Sequence, residues 1–239
     1  MATAAFDYPA GNATCRGSLS LPTSNAPRPG VAVFADIGGI GDHTIRWAER
    51  LAAECGMVAL AADVYGEGAV PADIAEGMAW LSAYRVDPPK LVARAGAALT
   101  ALAAHPRCDK RLAVIGFCFG GSTVLELARA SWPELRAGVS FHGGLSTPAP
   151  AAAGTIGAAL LVCHGAEDPL VPPAELAIFL AEMATAGADC QTIAYSGAVH
   201  SFTNRNADGR MMPGIAYHEG TDRRAWRAMA AHFVEVFGD

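Results

Sequence analysis

The sequence lacks a hydrophobic run long enough to cross a membrane. Hydrophobic residues make up 52% of the 239 residues, but the longer apolar runs, such as 156–163, fall well short of the roughly 20 residues that a transmembrane helix needs. The first residues, MATAAFDYPAGNATCRG, also lack the basic segment and apolar core of a secretory signal. We therefore expect a cytoplasmic protein without a membrane span.

Paired cysteines and clustered basic residues are also missing. The six cysteines lie at positions 15, 55, 108, 118, 163 and 190, with no CxxC pair and no Cys/His spacing of a zinc site. A disulfide framework is not expected in a reducing compartment. The net charge of −6 and the absence of a Lys/Arg cluster disfavour nucleic-acid binding. The expected partner is a small molecule, and no metal site is predicted.

The sequence does contain short apolar segments that alternate with segments of helical period. The predicted strands are 31–35, 57–62, 112–116, 137–141, 159–163 and 192–195. The predicted helices are 44–55, 88–104 with Asp87 as N-cap, 120–130, 172–186 and 222–237. This alternation predicts one α/β domain over 1–239, with a doubly wound, mostly parallel sheet and helices on both faces. Segment 146–157 is predicted to be a surface loop.

The most informative segment is AVIGFCFGG, which ends at Gly121. A predicted strand leads through a sharp turn directly into a helix, the form of a nucleophile elbow with Cys118 in place of serine. Gly116 and Gly120, two residues before and after Cys118, satisfy the need for small residues in such a turn. The turn places the sulfur at a helix N-terminus, where the helix dipole favours a thiolate. We interpret Cys118 as a nucleophile; the alternative is a buried core cysteine.

An acid and a histidine follow in the order nucleophile, acid, histidine. Asp168 lies beyond one predicted strand, and His200 lies on a glycine-containing loop beyond the last strand. His200 is interpreted as the general base and Asp168 as the group that orients it. The oxyanion of an acyl transfer would be bound by the backbone amides of Phe119 and Ile37. Each signal is weak alone, but ligands of such sheets bind where strands end.

The sequence resembles the dienelactone hydrolases from about residue 28 to the end. The resemblance is carried by the elbow GFCFGG, the segments GAEDP and VHSF around Asp168 and His200, and the segment AADVYG that begins at Ala61. It implies an α/β-hydrolase fold and a triad of Cys118, His200 and Asp168. It also implies hydrolysis of a small ester or lactone through a thioester acyl-enzyme, without metal or organic cofactor. Whether the protein is a monomer or a homodimer stays open.

Two positions depart from the pattern of these enzymes. The family usually has a glutamate that helps to generate the thiolate, and here the position holds Asp36, one methylene shorter. The founding enzymes also bind the dienelactone carboxylate with two arginines. One of these positions is Asn204, next to Arg205, and Arg85 is the nearest candidate for the other. Specificity for dienelactone itself is therefore not predicted.

Other residues are interpreted more simply. Tyr84, with Tyr65 and Trp80, is predicted to line an apolar pocket over Cys118, since aromatic walls suit small ring substrates. For Trp80 a role in helix packing is an equal alternative. His142 and His164 each follow a strand. They are expected to have ring nitrogens satisfied by backbone groups, and the alternative is that they border the site.

Two alternative functions stay open. One is a binding or regulatory protein that keeps the hydrolase fold without catalysis, since fold does not guarantee activity. The other is a thiol redox sensor, because an exposed cysteine of low pKa is readily oxidised. No resolving cysteine lies near Cys118 in the sequence, and Cys108 is the nearest upstream.

Overall fold

The computed structural model describes residues 2–210 and 212–238. The strands are β1 (Ala2–Ala10), β2 (Ala13–Leu21), β3 (Arg28–Phe34), β4 (Val58–Ala62), β5 (Cys108–Phe117), β6 (Leu135–Phe141), β7 (Ala159–Gly165) and β8 (Cys190–Tyr195). The helices are α1 (Asp42–Glu54), α2 (Ile74–Arg85), α3 (Pro88–Ala104), α4 (Phe119–Arg129), α5 (Pro173–Ala186) and α6 (Glu219–Phe237).

These strands form a single sheet in the order β1-β2-β4-β3-β5-β6-β7-β8. Strands β4, β3, β5, β6, β7 and β8 pair in parallel, whereas β2 pairs antiparallel with both β1 and β4. The carboxyl ends of the parallel strands therefore lie along one edge, where ligands of doubly wound sheets bind.

Helices cover both faces of the sheet because consecutive residues of a strand point to opposite sides. In β3, Ala32 and Phe34 belong to one apolar core, and Val31 and Val33 belong to the other. Helices α2, α3, α4 and α5 pack on the first side, and α1 and α6 pack on the second. The predicted doubly wound α/β fold is confirmed.

All six predicted strands and five predicted helices are present, with shifted ends. Strand β5 begins at Cys108 rather than 112, and α6 begins at Glu219 rather than 222. The Asp87 side chain accepts a hydrogen bond from the Lys90 amide at 3.2 Å, as expected of an N-cap. Segment 146–157 contains no helix or strand, in agreement with the predicted loop.

The prediction missed the β1–β2 hairpin and helix α2. Strand β1 is mostly exposed and contains Pro9, which suits an edge strand but obscures the strand pattern. Helix α2 buries only Gly77 and Tyr84, so its sequence has no apolar stripe of helical period. Asp73 at its start accepts from the Glu76 amide at 2.9 Å. The spacing Asp-x-x-Glu is a helix-start signal that would have located α2.

Candidate active site

Cys118 lies in a strained turn between β5 and α4. Its φ of 53° and ψ of −112° are rarely adopted by a residue other than glycine. The turn is possible because two neighbouring glycines leave space: a Cβ atom on Gly116 would overlap the backbone of Gly120, and one on Gly120 would overlap the backbone of Phe34. Cys118 itself is partly exposed at the N-terminus of α4.

This turn leads to a prediction about stability. Gly120→Ala is expected to lower the free energy of unfolding by about 3 kcal/mol or more, because the added methyl group would meet main-chain atoms. Thermal melts should show a fall in Tm of about 10 °C. Gly157→Ala is the matched control, since a Cβ at Gly157 meets nothing within 4 Å. Equal Tm values for the two variants would contradict the close packing of the turn.

The side chains of His200 and Asp168 are joined by a hydrogen bond. Asp168 follows β7 and His200 follows β8, and the distance from His200 Nδ1 to Asp168 Oδ2 is 2.8 Å. The second carboxylate oxygen of Asp168 accepts from the Leu170 amide at 2.8 Å. Both partners are buried, so solvent does not compete for the contact. The carboxylate thereby sets the orientation of the imidazole.

The other ring nitrogen of His200 faces Cys118. Nε2 is buried and makes no hydrogen bond among the described residues. Burial alone would lower the pKa of His200, but the nearby Cys118 sulfur and Asp168 carboxylate outweigh burial and raise it to about 10. An imidazole in this position can hold a proton next to a thiolate.

The two amides expected to bind an oxyanion lie at adjacent strand ends. Phe119 is the first residue of α4, so its N–H has no acceptor within that helix. Ile37 follows β3, and its carbonyl accepts a hydrogen bond from the Tyr65 hydroxyl at 3.0 Å. That contact orients the backbone next to Cys118, which lines the same cavity as Ile37.

Asp36 and Asn204 also line this cavity and contact each other. Asp36 Oδ1 accepts from the Gly38 amide at 2.9 Å, and Asp36 Oδ2 accepts from Asn204 Nδ2 at 3.4 Å. Burial raises the pKa of Asp36, although these donors and His200 act in the opposite direction. Asn204 thus supports Asp36 at the position where the founding enzymes carry an arginine.

His142 contacts the backbone of the candidate nucleophile. The sequence did not favour a role for His142 in the site. The amide of Cys118 donates to the Phe141 carbonyl at 3.0 Å and to His142 Nδ1 at 3.2 Å. Nε2 of His142 lies 2.9 Å from the Thr203 hydroxyl. Burial, followed by the charges of neighbouring histidines, lowers the pKa of His142 well below its usual range. The ring is therefore neutral and can accept at Nδ1 while it donates at Nε2.

This contact predicts an effect on turnover. His142→Leu removes one of the two acceptors of the Cys118 amide, which keeps its hydrogen bond to the Phe141 carbonyl. It is expected to lower kcat about 5-fold, because one such hydrogen bond contributes about 1 kcal/mol. KM should change little, since His142 does not line the cavity. His142→Asn keeps an acceptor and tolerates the φ of 39°, so it should restore most of kcat. A folded His142→Leu protein with wild-type kcat would contradict this role.

A cavity of about 290 Å³ opens over Cys118 and His200. Its walls come from the loop after β3, from α2, from the loop after Asp168 and from the loop after His200. Six large apolar side chains line it: Ile37, Ile74, Met78, Leu170, Met212 and Ile215. Its polar and small lining residues are Asp36, Gly38, Cys118, His200, Ser201, Asn204, Asn206, Ala207, Asp208 and Gly209. Among the described residues that line it, none is lysine or arginine.

Both predicted arginines lie elsewhere. The Arg85 guanidinium donates to the Ser146 hydroxyl and does not line the cavity. Arg205 lines a separate cavity of about 310 Å³, together with Arg46 and Asp222. They lie apart from Cys118 because α2 and the loop after His200 turn these side chains away from its cavity.

The aromatic residues predicted to line the pocket pack beneath it instead. Tyr84 is buried, donates to the Val64 carbonyl at 3.2 Å and packs against Phe119. Tyr65 stacks on Phe119 and makes an edge contact with Trp80. These rings support the elbow from below, whereas aliphatic side chains form the walls of the cavity.

Residues 2–210 and 212–238 contain no group of three or more His, Cys, Asp or Glu side chains arranged to hold a metal ion. None of the helices in these two ranges is both long enough and apolar enough to cross a membrane.

Comparisons with known proteins assign the chain to a family. The model of the dienelactone hydrolase family matches residues 15–237. The chain belongs to the dienelactone hydrolase family. A dienelactone hydrolase-like promiscuous phosphotriesterase from metagenomic libraries is 41% identical, with a TM-score of 0.92 and 99% of each chain covered. A solved structure named m3DLH is 40% identical, with a TM-score of 0.92 and 99% of this chain and 98% of that chain covered.

A curated relative agrees with this assignment. A Yersinia pestis protein that carries the name "putative carboxymethylenebutenolidase" is 29% identical over 221 residues, which cover 87% of this chain and 79% of the relative. Together with the dienelactone hydrolase family match, this relative supports a hydrolase of esters or lactones. The protein is therefore an enzyme of this kind that acts on a small molecule.

Proposed function

We propose that Cys118, His200 and Asp168 form the catalytic triad of this hydrolase. The Cys118 thiolate attacks the carbonyl carbon of the ester or lactone, so an S–C bond forms and the carbonyl electrons move to oxygen. The amides of Ile37 and Phe119 bind that oxyanion. The tetrahedral intermediate then collapses, the C–O bond to the alcohol breaks, and His200 donates its proton to the departing oxygen. A thioester on Cys118 remains.

Water completes the cycle. His200, now neutral, takes a proton from a water molecule that attacks the thioester carbonyl, and the Cys118 thiolate leaves as the acid product is released. Asp168 keeps the imidazole in one orientation through both steps. Asp36 assists thiol activation from its half-buried position in the cavity wall. Apart from the water molecule, the proposed steps use only side chains and amides of this chain.

One observation carries this proposal. The Asp168–His200 contact of 2.8 Å lies beside the elbow that presents Cys118, and both His200 and Cys118 line one cavity. A buried ion pair next to a strained nucleophile at the carboxyl edge of the sheet suits acyl transfer. A purely structural cysteine would need neither the strained turn nor the adjacent imidazole.

The proposal is tested by capture of the acyl-enzyme. The protein is mixed with 4-nitrophenyl acetate and quenched in acid, and we expect a mass increase of one acetyl group located on Cys118 by peptide mapping. The other five cysteines should stay unmodified, because burial raises the pKa of each of their thiols. The values are about 11 for Cys55 and Cys190 and about 12 for Cys163, with upward shifts for Cys15 and Cys108. Turnover with acetyl on any residue other than Cys118 would refute the triad.

Hydrolysis of phosphotriesters is a second candidate activity. The 41% identical structure is named as a promiscuous phosphotriesterase. A cavity whose described lining residues include no lysine or arginine suits a neutral triester. Attack of the Cys118 sulfur on phosphorus would form an S–P bond and release the aryloxide. We expect slow release of 4-nitrophenol from a 4-nitrophenyl dialkyl phosphate, abolished in Cys118→Ala. Release that persists in that variant would exclude this route.

A further inference from the structure

We propose that the preferred substrates of this enzyme are uncharged esters or lactones with an apolar substituent, and that carboxylate-bearing substrates of the dienelactone type are poor ones. The inference rests on the proposed function only in taking Cys118 as the reacting centre. It deepens that function by naming the chemical class that the cavity accepts.

The cavity wall is largely apolar. Of the six large apolar side chains that line it, Ile74, Met78 and Leu170 stay 38%, 45% and 48% exposed. Large aliphatic side chains that face one opening are unfavourable in water, so their grouping marks a binding surface for an apolar ligand. An apolar substituent placed among them would remove their surface from water at about 25 cal/mol per Å².

The charged side chains that line the cavity are mainly acidic. The carboxyl groups of Asp36 and Asp208 line the cavity, whereas no described lining residue is lysine or arginine. The only basic group among those described lining residues is His200, which is already engaged by Asp168. The exposed Arg210 guanidinium beside the cavity already faces the Asp208 carboxylate at 3.8 Å. A substrate carboxylate would therefore lose its water and gain no guanidinium partner from the described lining residues, and burial of an unpaired carboxylate is strongly unfavourable.

The apolar wall residues Leu170 and Ile215 contact the backbone or side chains of the proposed triad residues. Leu170 donates its amide to Asp168 at 2.8 Å, and His200 pairs with Ile215 in a short parallel bridge. On the opposite side, α2 approaches so closely that a Cβ atom on Gly77 would lie 3.2 Å from the Ile37 carbonyl oxygen. The elements that hold the triad therefore also hold the apolar walls around it.

The test compares two esters that differ at one end only, where one has a carboxylate and the other its neutral methyl ester. Mono-4-nitrophenyl adipate carries a carboxylate, and its methyl ester is neutral with the same leaving group and chain. We expect kcat/KM for 4-nitrophenol release to be at least about 100-fold higher for the neutral ester, because the carboxylate has no partner in the cavity. Equal or higher kcat/KM for the adipate monoester would overturn the proposal.

An introduced arginine tests the same idea in reverse. Met78→Arg should raise kcat/KM for the carboxylate ester about 10-fold and lower it for the neutral ester. Met78→Gln controls for lost apolar surface. Val86→Arg controls for added charge, since Val86 is 79% exposed and does not line the cavity. An equal response of Val86→Arg and Met78→Arg would count against the cavity as the origin of selectivity.

The two proposals can fail separately. If Cys118→Ala hydrolyses both esters as fast as the wild type, the proposed function fails whatever their ratio. If hydrolysis needs Cys118 but the carboxylate ester is preferred, only the substrate class is wrong. A Met78→Arg protein that does not fold would be replaced by Leu170→Arg, at the opposite wall, and the wild-type ratio tests the proposal in either case.

Discussion

Cys118→Ala should lower kcat/KM for 4-nitrophenyl acetate by about 10⁴-fold or more, since loss of the nucleophile of a triad removes the covalent route entirely. The fold should persist, because the backbone conformation with a φ of 53° is about as unfavourable for alanine as for cysteine. Residual turnover would come from the oxyanion amides and from binding alone. Steady-state kinetics with active-site titration measures the effect.

Cys190→Ala is the matched control for that variant. Cys190 is a half-buried free cysteine at the start of β8, and burial raises the pKa of its thiol to about 11. The kcat/KM of Cys190→Ala should stay within about 2-fold of the wild-type value, as expected for a substitution outside the site. Full activity of Cys118→Ala with unchanged Tm would refute the thioester mechanism.

Asp168→Asn should lower kcat by about 10³- to 10⁴-fold while the fold is retained. The asparagine oxygen can still accept from the Leu170 amide, which lies 2.8 Å from Asp168 Oδ1 in the wild type. Its NH₂ group would face Nδ1 of His200 and force the proton onto Nε2. The imidazole could then no longer accept a proton on the side that faces Cys118.

The variant should also change the charge of His200. Burial lowers the pKa of His200, and the Cys118 sulfur and Asp168 carboxylate raise it, so loss of the carboxylate moves it downward. Alkylation of Cys118 by iodoacetamide at pH 7 should become slower. Glu167→Gln makes the same chemical change on the exposed neighbour, whose carboxylate accepts from the Gly197 amide at 3.1 Å, and should leave kcat within about 2-fold. Comparable losses in both variants would argue against a special role of Asp168.

Much of the fold could be predicted because parallel strands buried on both faces give short continuous apolar runs. The same hydrophobic signal does not identify the hairpin β1–β2 or helix α2. Strand β1 is an edge strand that buries few residues, and α2 directs Ile74 and Met78 toward the cavity rather than the core. A periodic hydrophobic pattern reflects burial of one face against the core. A strand at the edge of the sheet, or a helix that lines a cavity, therefore has only a weak pattern.

The sequence by itself determined the reactive groups of the candidate site. Gly116, Cys118 and Gly120 form a turn that the local sequence pattern identifies, although the space at Gly120 is limited by the backbone of Phe34 on a neighbouring strand. Asp168 and His200 follow strand ends that converge in any parallel sheet. Tertiary structure alone decided the surroundings: His142 beneath the Cys118 amide, Arg85 and Arg205 outside the cavity, and aliphatic rather than aromatic walls. Those placements depend on how distant helices and loops pack, because side-chain direction over a cavity is set by contacts that no local pattern encodes.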